Sequence, residues 1–246
     1  MASRLGILSP HLDDAVLSCA HVLAAHPDSV VVTVFSGGPP SVDPLPPWDE
    51  SSHCFRPGDD VVGARRREDE AALGFLHASY VHLDFWDDQY RTKTYGAHTT
   101  GVELRAEIEA ALDRAVGQHP VDAWLIPLGI LHPDHQATNR AALAVALRRL
   151  DLRWIVYDEL PYHVAYADER TLAINRLRGA GFDVVQTSLE AKAVDKARAI
   201  GFYASQVSSL EAGFDQAVAG PEVFHDLVRT TRALRGHPSA PIAPKH

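Results

Sequence analysis

Short unbroken apolar runs alternate along this chain with longer stretches in which apolar residues return every third or fourth position. Residues 5–8, Leu-Gly-Ile-Leu, form the first run and predict a buried strand. Residues 14–25 follow with Val16, Leu17, Ala20, Leu23 and Ala24 at helical spacing. A β-branched run covers 30–35, further strand signals fall at 80–83, 124–127 and 154–157, and a weaker one lies at 183–187. Helical spacing fills the intervals at 62–75, 102–116, 135–150 and 189–200. Alternation of this kind predicts a Rossmann-like, three-layer α/β/α fold with a mostly parallel twisted sheet between two helix layers. The 246 residues suit one domain, expected over 1–235, with the Pro-rich 236–246 as a flexible tail.

Two stretches break the alternation. Residues 37–60 hold six prolines together with Trp48 and Phe55, and 87–100 carry Tyr90 and Tyr95. Irregular segments this long inside a domain are expected to be functional lids or disordered.

Composition narrows the function. Thirty-two acidic against 23 basic residues leave a net charge of -9, which argues against nucleic acid as partner, because phosphate contacts need clustered Lys and Arg. The one basic run, Arg65-Arg66-Arg67, is followed at once by Glu68-Asp69-Glu70 and reads as a mixed-charge helix start. Cys19 and Cys54 have no metal-ligand spacing and do not make a disulfide scaffold. No apolar run approaches a membrane span, and Met1–Arg4 leads directly into the first strand, so the expected location is the cytoplasm.

The chemistry concentrates in two places. Ser9-Pro10-His11-Leu12-Asp13-Asp14 follows the first predicted strand, and His132-Pro133-Asp134-His135 follows the one at 124–127. Both fall where an α/β sheet presents its binding residues, past the C-terminal ends of strands. Asp13 or Asp14 could simply cap the helix that follows. The i,i+3 spacing of His11 and Asp14, however, lets both grip one ion while Asp13 points elsewhere as a free carboxylate. His132 and His135 repeat that spacing around Asp134. A dinucleotide site is excluded, since the first strand–helix turn lacks the Gly-x-Gly-x-x-Gly cradle and would set carboxylates against a pyrophosphate.

At these residues the chain resembles the PIG-L/LmbE-like family of zinc-dependent N-deacetylases. The carriers are Pro10-His11-Leu12-Asp13-Asp14-Ala15 and His132-Pro133-Asp134-His135, supported by Arg66-Arg67-Glu68-Asp69-Glu70, Phe85-Trp86-Asp87 and Lys196 with Ala204-Ser205-Gln206. The resemblance implies that His11, Asp14 and His135 bind Zn²⁺, with Fe²⁺ as the other candidate. It makes Asp13 the general base, His132 the cationic partner of the tetrahedral intermediate and a candidate acid for the leaving amine, and Asp134 the residue that orients His132 or tunes its pKa. Arg67, Asp87, Trp48 and Trp86 become candidate substrate contacts. Leu12 and Ala15 depart from the family pattern, which usually has Pro and Glu there. The implied activity is removal of an N-acetyl or other N-acyl group from an amino sugar or glycosylated natural product, a small-molecule substrate, with homo-oligomerisation left open. The alternatives are an amidase for a non-sugar N-acyl or thiol-conjugate substrate, and a catalytically silent metal-bearing binding protein.

Overall fold

The computed structural model describes residues 3–95, 101–210 and 212–230; the expected tail at 236–246 lies outside them. Strands β1 (Leu5–Ser9), β2 (Val30–Thr33), β3 (Ser79–His82), β4 (Ala123–Pro127), β5 (Arg153–Tyr157), β6 (Phe182–Thr187) and β7 (Phe224–Arg229) form one sheet in the order β3-β2-β1-β4-β5-β7-β6. The helices are α1 (Asp14–Ala25), α2 (Pro47–Ser51), α3 (Val61–Phe75), α4 (Gly101–Gln118), α5 (Pro133–Arg148), α6 (Tyr162–Ala165), α7 (Ala167–Gly179), α8 (Lys196–Gly201), α9 (Ala204–Leu210) and α10 (Ala212–Ala219).

The sheet divides the apolar residues between two cores, as period-two alternation requires. Ile7, Val31, Leu125 and Ile155 face α1, α3 and α8, packing on Val16, Leu23, Leu73 and Ile200. Leu8, Val30, Ile126 and Val156 face α4, α5 and α7, packing on Ile108, Leu112, Ala142 and Leu177. Gly6 leaves room for the indole of Trp124 on the neighbouring strand, since a Cβ there would lie 2.5 Å from the ring. Three layers around a mostly parallel sheet are the predicted fold. All ladders are parallel from β3 through β5, and β7 runs antiparallel to both of its neighbours, β5 and β6.

The structure corrects the helix expected at 189–200. Only Lys196–Gly201 is helical, started by Asp195, whose carboxylate accepts from the Arg198 N–H (2.9 Å). Leu189 and Val194 do pack against the α1-side core, so their spacing reports burial reached by an irregular backbone. Neither α7 nor β7 was signalled by the pattern. Helix α7 buries only Ala173 and Leu177, too narrow a stripe to show a period.

The site is placed by β1 and β4. They lie side by side, Leu5 against Ala123 and Ile7 against Leu125, at the point where successive crossovers leave the sheet in opposite directions. The turns that follow them therefore open into one crevice.

Candidate active site

The turn after β1 is built around three local hydrogen bonds. The Ser9 hydroxyl donates to the His11 carbonyl (2.6 Å) and accepts the Ala15 N–H (3.0 Å), while the His11 N–H donates to Asp14 Oδ2 (2.8 Å). Asp14 thereby caps the turn and also holds His11 Nδ1 at 3.3 Å. The turn after β4 is tighter. Leu131 has φ 56°, and the His132 N–H reaches back to the Ile130 carbonyl (2.6 Å), a strained γ-turn. Glu159, fully buried past the end of β5, pins this turn by accepting the N–H groups of Gly129 (2.7 Å) and Ile130 (3.1 Å).

Three acceptor atoms meet where the turns converge. His135 Nε2 lies 3.2 Å from Asp14 Oδ2 and 3.3 Å from His11 Nδ1, and the third side of the triangle is the 3.3 Å between His11 and Asp14. The outer nitrogens are occupied: His11 Nε2 is 3.1 Å from Asp134 Oδ2, and His135 Nδ1 is 3.2 Å from Glu159 Oε1. An ionised carboxylate only accepts, so each outer nitrogen carries its hydrogen, and once a cation displaces the second proton each inner nitrogen is left to turn a lone pair to the centre. Bond lengths of roughly 2.0–2.1 Å at tetrahedral angles would set ligand atoms about 3.3–3.4 Å apart. The triangle has that size, and it is the residue set that could take a divalent cation. His132 also lies near both imidazoles, with ring centroids 4.9 and 5.4 Å from His11 and His135. Two further groups, His11 with His132 and His135, and His11 with Asp87 and Asp134, also bring their ligand atoms within 4.8 Å of one another. Asp134 and the outer nitrogen of His11 are already bound to each other, which leaves the first triangle the better fit.

The charges are tightly interdependent. Burial opposes ionisation of Asp14, but the charge of His135 and the hydrogen bond from His11 hold its carboxyl well below the usual range. Burial equally opposes charge on the imidazoles, yet Asp134 and Asp14 raise His11, and Asp14 and Glu159 raise His135 to about 9. Asp13 goes the other way: burial and the neighbouring Asp14 charge push it up to about 7. His132 is lowered by burial and by the two adjacent imidazoles.

A cavity of about 570 Å³ opens from this cluster. Asp13, Asp14, His11 and His132 form its floor, Asp87 and Gln89 one wall, and Trp48, Tyr162 and Tyr166 the apolar side. Two of the four sequence candidates for substrate contact, Trp48 and Asp87, thus reach the cavity. Trp86 does not; it packs with Val42, Val61 and Tyr90 under the 37–60 segment. Arg67 is exposed on α3 and away from the cavity. Consecutive helical residues point about 100° apart, and the inward place goes to Arg65, buried against Asp49 at 2.7 Å. Arg66 pairs with Asp84 at 2.8 Å. The sequence reading missed Glu159, Arg91 and Tyr162. Adjacent acids directly after a buried strand, Asp158-Glu159, were the available signal for the first; nothing local distinguishes Arg91 or Tyr162 from packing residues.

The model of the PIG-L family, described as GlcNAc-PI de-N-acetylase, matches residues 7–146, which takes in both turns and every residue of the triangle. The chain belongs to the PIG-L family. This family member is 29% identical over 171 residues to 2'-N-acetylparomamine deacetylase of Streptomyces fradiae, an alignment covering 65% of this chain and 57% of that protein. Among solved structures it resembles the zinc-inhibited form of teicoplanin deacetylase Orf2, with TM-score 0.73 and 26% identity over 93% of this chain and 99% of that one. It also resembles the pseudoaglycone deacetylase Dbv21, with TM-score 0.70 and 28% identity over 93% and 98% of the two chains. These relatives are deacetylases of sugar-bearing natural products. No helix among the described residues is long and apolar enough to cross a membrane.

Proposed function

We propose that this chain is a divalent-metal-dependent N-deacetylase that hydrolyses the acetamide of an N-acetylated amino sugar on an aminoglycoside-like or glycopeptide-like natural product. The observation that carries the reading is the triangle of inner lone pairs on His11, Asp14 and His135, closed from outside by Asp134 and Glu159, beside a carboxylate that faces the cavity. The kinship with deacetylases supports it. Zinc remains the metal proposed, and the cytoplasm the location.

His11 Nδ1, Asp14 Oδ2 and His135 Nε2 would hold the cation, which when bound supplies Lewis acidity toward the acyl carbonyl and toward water. Asp13 sits on the cavity floor with its carboxyl raised to about 7, so at neutral pH it can take a proton from the attacking water and pass it to the leaving amine. His132 Nδ1 accepts the Asp134 N–H (3.2 Å), which leaves Nε2–H to donate. With its pKa lowered, His132 acts as a neutral hydrogen-bond donor to the developing oxyanion, in place of the imidazolium implied by the family resemblance. Trp48, Tyr162 and Tyr166 give the substrate ring an apolar face, and Asp87 and Gln89 offer acceptors to its hydroxyls.

The test is acetate release. The purified protein, loaded with one equivalent of Zn²⁺, is given a panel of N-acetylated aminoglycosides and glycopeptide pseudoaglycones. Release of acetate and a free amine, abolished by chelation and restored by metal, is expected. A metal-loaded protein that cleaves none of the sugar acetamides would overturn the reading.

A further inference from the structure

The residue next in line behind the metal triangle is Arg91. Its Nη1 donates to the Trp86 carbonyl (2.5 Å), and its Nη2 bridges Asp88 Oδ1 (2.9 Å) and Asp134 Oδ1 (2.5 Å). The guanidinium stacks over Phe35, 5.0 Å from the ring centre, and the Phe35 ring in turn lies 6.1 Å from His11. Asp134 has no exposed surface, and its second oxygen accepts from His11 Nε2 (3.1 Å) and the Asp88 N–H (3.0 Å). The line Arg91–Asp134–His11 is thus continuous, and Arg91 supplies the one guanidinium hydrogen-bonded to that carboxylate among the described residues.

We propose that Arg91 is a positioning residue for the metal site: by clamping Asp134 it fixes the tautomer and ring angle of His11, so that Nδ1 faces the cation. The inference rests on the metal reading given above. Two features favour a positional over a general electrostatic role. The guanidinium is held at both ends and on its face, a geometry that Lys cannot copy. A positive charge near a cation site by itself weakens binding of the cation, so charge alone gives the structure no reason to place an arginine here. Without the clamp, Asp134 would be a buried carboxylate free to turn, and His11 would lose the partner that sets which nitrogen faces the cation.

The signs make a clean test. Arg91→Met removes clamp and charge; Arg91→Lys removes the fork and keeps the charge. Zn²⁺ affinity is read by competition with a chromophoric chelator, and Co²⁺ is used as a second probe whose visible absorption reports the ligand geometry. Both variants are expected to bind about tenfold more weakly, in the range seen when partners of metal-bound histidines are removed, and to shift the Co²⁺ bands. Tighter binding in Arg91→Met with unchanged binding in Arg91→Lys is what charge alone would give, and it would overturn the proposal. So would unchanged affinity and bands in both. If Arg91→Met does not fold, judged by thermal melting of the metal-free protein, Arg91→Lys alone decides, since it leaves Asp134 with a cation. Wild-type protein that binds neither metal would overturn the metal reading itself, whereas wild type that binds and variants that match it would overturn only the role of Arg91.

Discussion

The turns after β1 and β4 and the segments after β2 and β3 do opposite jobs at the same rim of the sheet. The first two are short, largely buried and closed by hydrogen bonds; they carry His11, Asp13, Asp14, His132 and His135 on a frame that Glu159 and Asp134 lock from behind. The other two are long and irregular, and they build the wall. Residues 37–60 fold into α2 and are anchored by Asp49, which takes the Tyr90 hydroxyl at 2.6 Å as well as Arg65. That anchor presents Trp48 to the cavity. On the proposed function, chemistry is therefore held by elements with little freedom to vary, and recognition by segments that can change in length and side chain without disturbing it. Arg91 is where the two meet, since it belongs to a wall segment and clamps a carboxylate of the frame.

That contrast can be broken or sharpened by measurement. The largest expected effect is at Asp13. Asp13→Asn is expected to keep the metal and lose roughly 100- to 10,000-fold in kcat, the usual scale for a general base; loss of metal, measured by elemental analysis, would make Asp13 part of the frame's binding set instead. Next comes pH. In the metal-free protein His135 holds a proton up to about 9, and a cation must displace it. Metal affinity is therefore expected to rise with pH through neutrality, about tenfold per unit for each proton released. Calorimetry in buffers of different ionisation enthalpy counts those protons, and a flat affinity from pH 6 to 8 would refute the coupling. Glu159→Gln keeps an acceptor for His135 and the two backbone N–H groups while removing the charge, so metal affinity is expected to fall about tenfold. A change in KM with metal binding intact would put Glu159 on the recognition side. The smallest effect belongs to the wall: Trp48→Ala is expected to raise KM several-fold, on the order of 1 kcal/mol of lost stacking and apolar contact, and to leave kcat nearly unchanged. A fall in kcat alone would show that wall and frame are not separable.

The same division explains what could be read from the sequence. Strands β1, β2, β4 and β5 are buried on both faces, so they show as continuous apolar runs, and α1 shows its stripe because one side packs on the sheet. That the two His/Asp clusters meet was legible because each stands at one-turn spacing next to the end of a buried strand, the placement that a metal site would need. Asp49, Arg91 and Tyr162 were not legible, since each acts through a partner distant in sequence: Asp49 through Arg65, Arg91 through Asp134, and Tyr162 by its ring edge on His135, 5.1 Å between centroids. Arg67 misled for a related reason. Three consecutive arginines point in three directions around α3, and only the packing of that helix decides that Arg65 is the buried one.

The central claim is that one cation sits inside the triangle. A crystal of the zinc-loaded protein, with anomalous diffraction collected across the zinc absorption edge, tests it most directly. The account predicts a single strong peak at about 2.0–2.2 Å from His11 Nδ1, Asp14 Oδ2 and His135 Nε2. A peak held instead by Asp87 and Asp134, or no peak within bonding distance of His135, would contradict it.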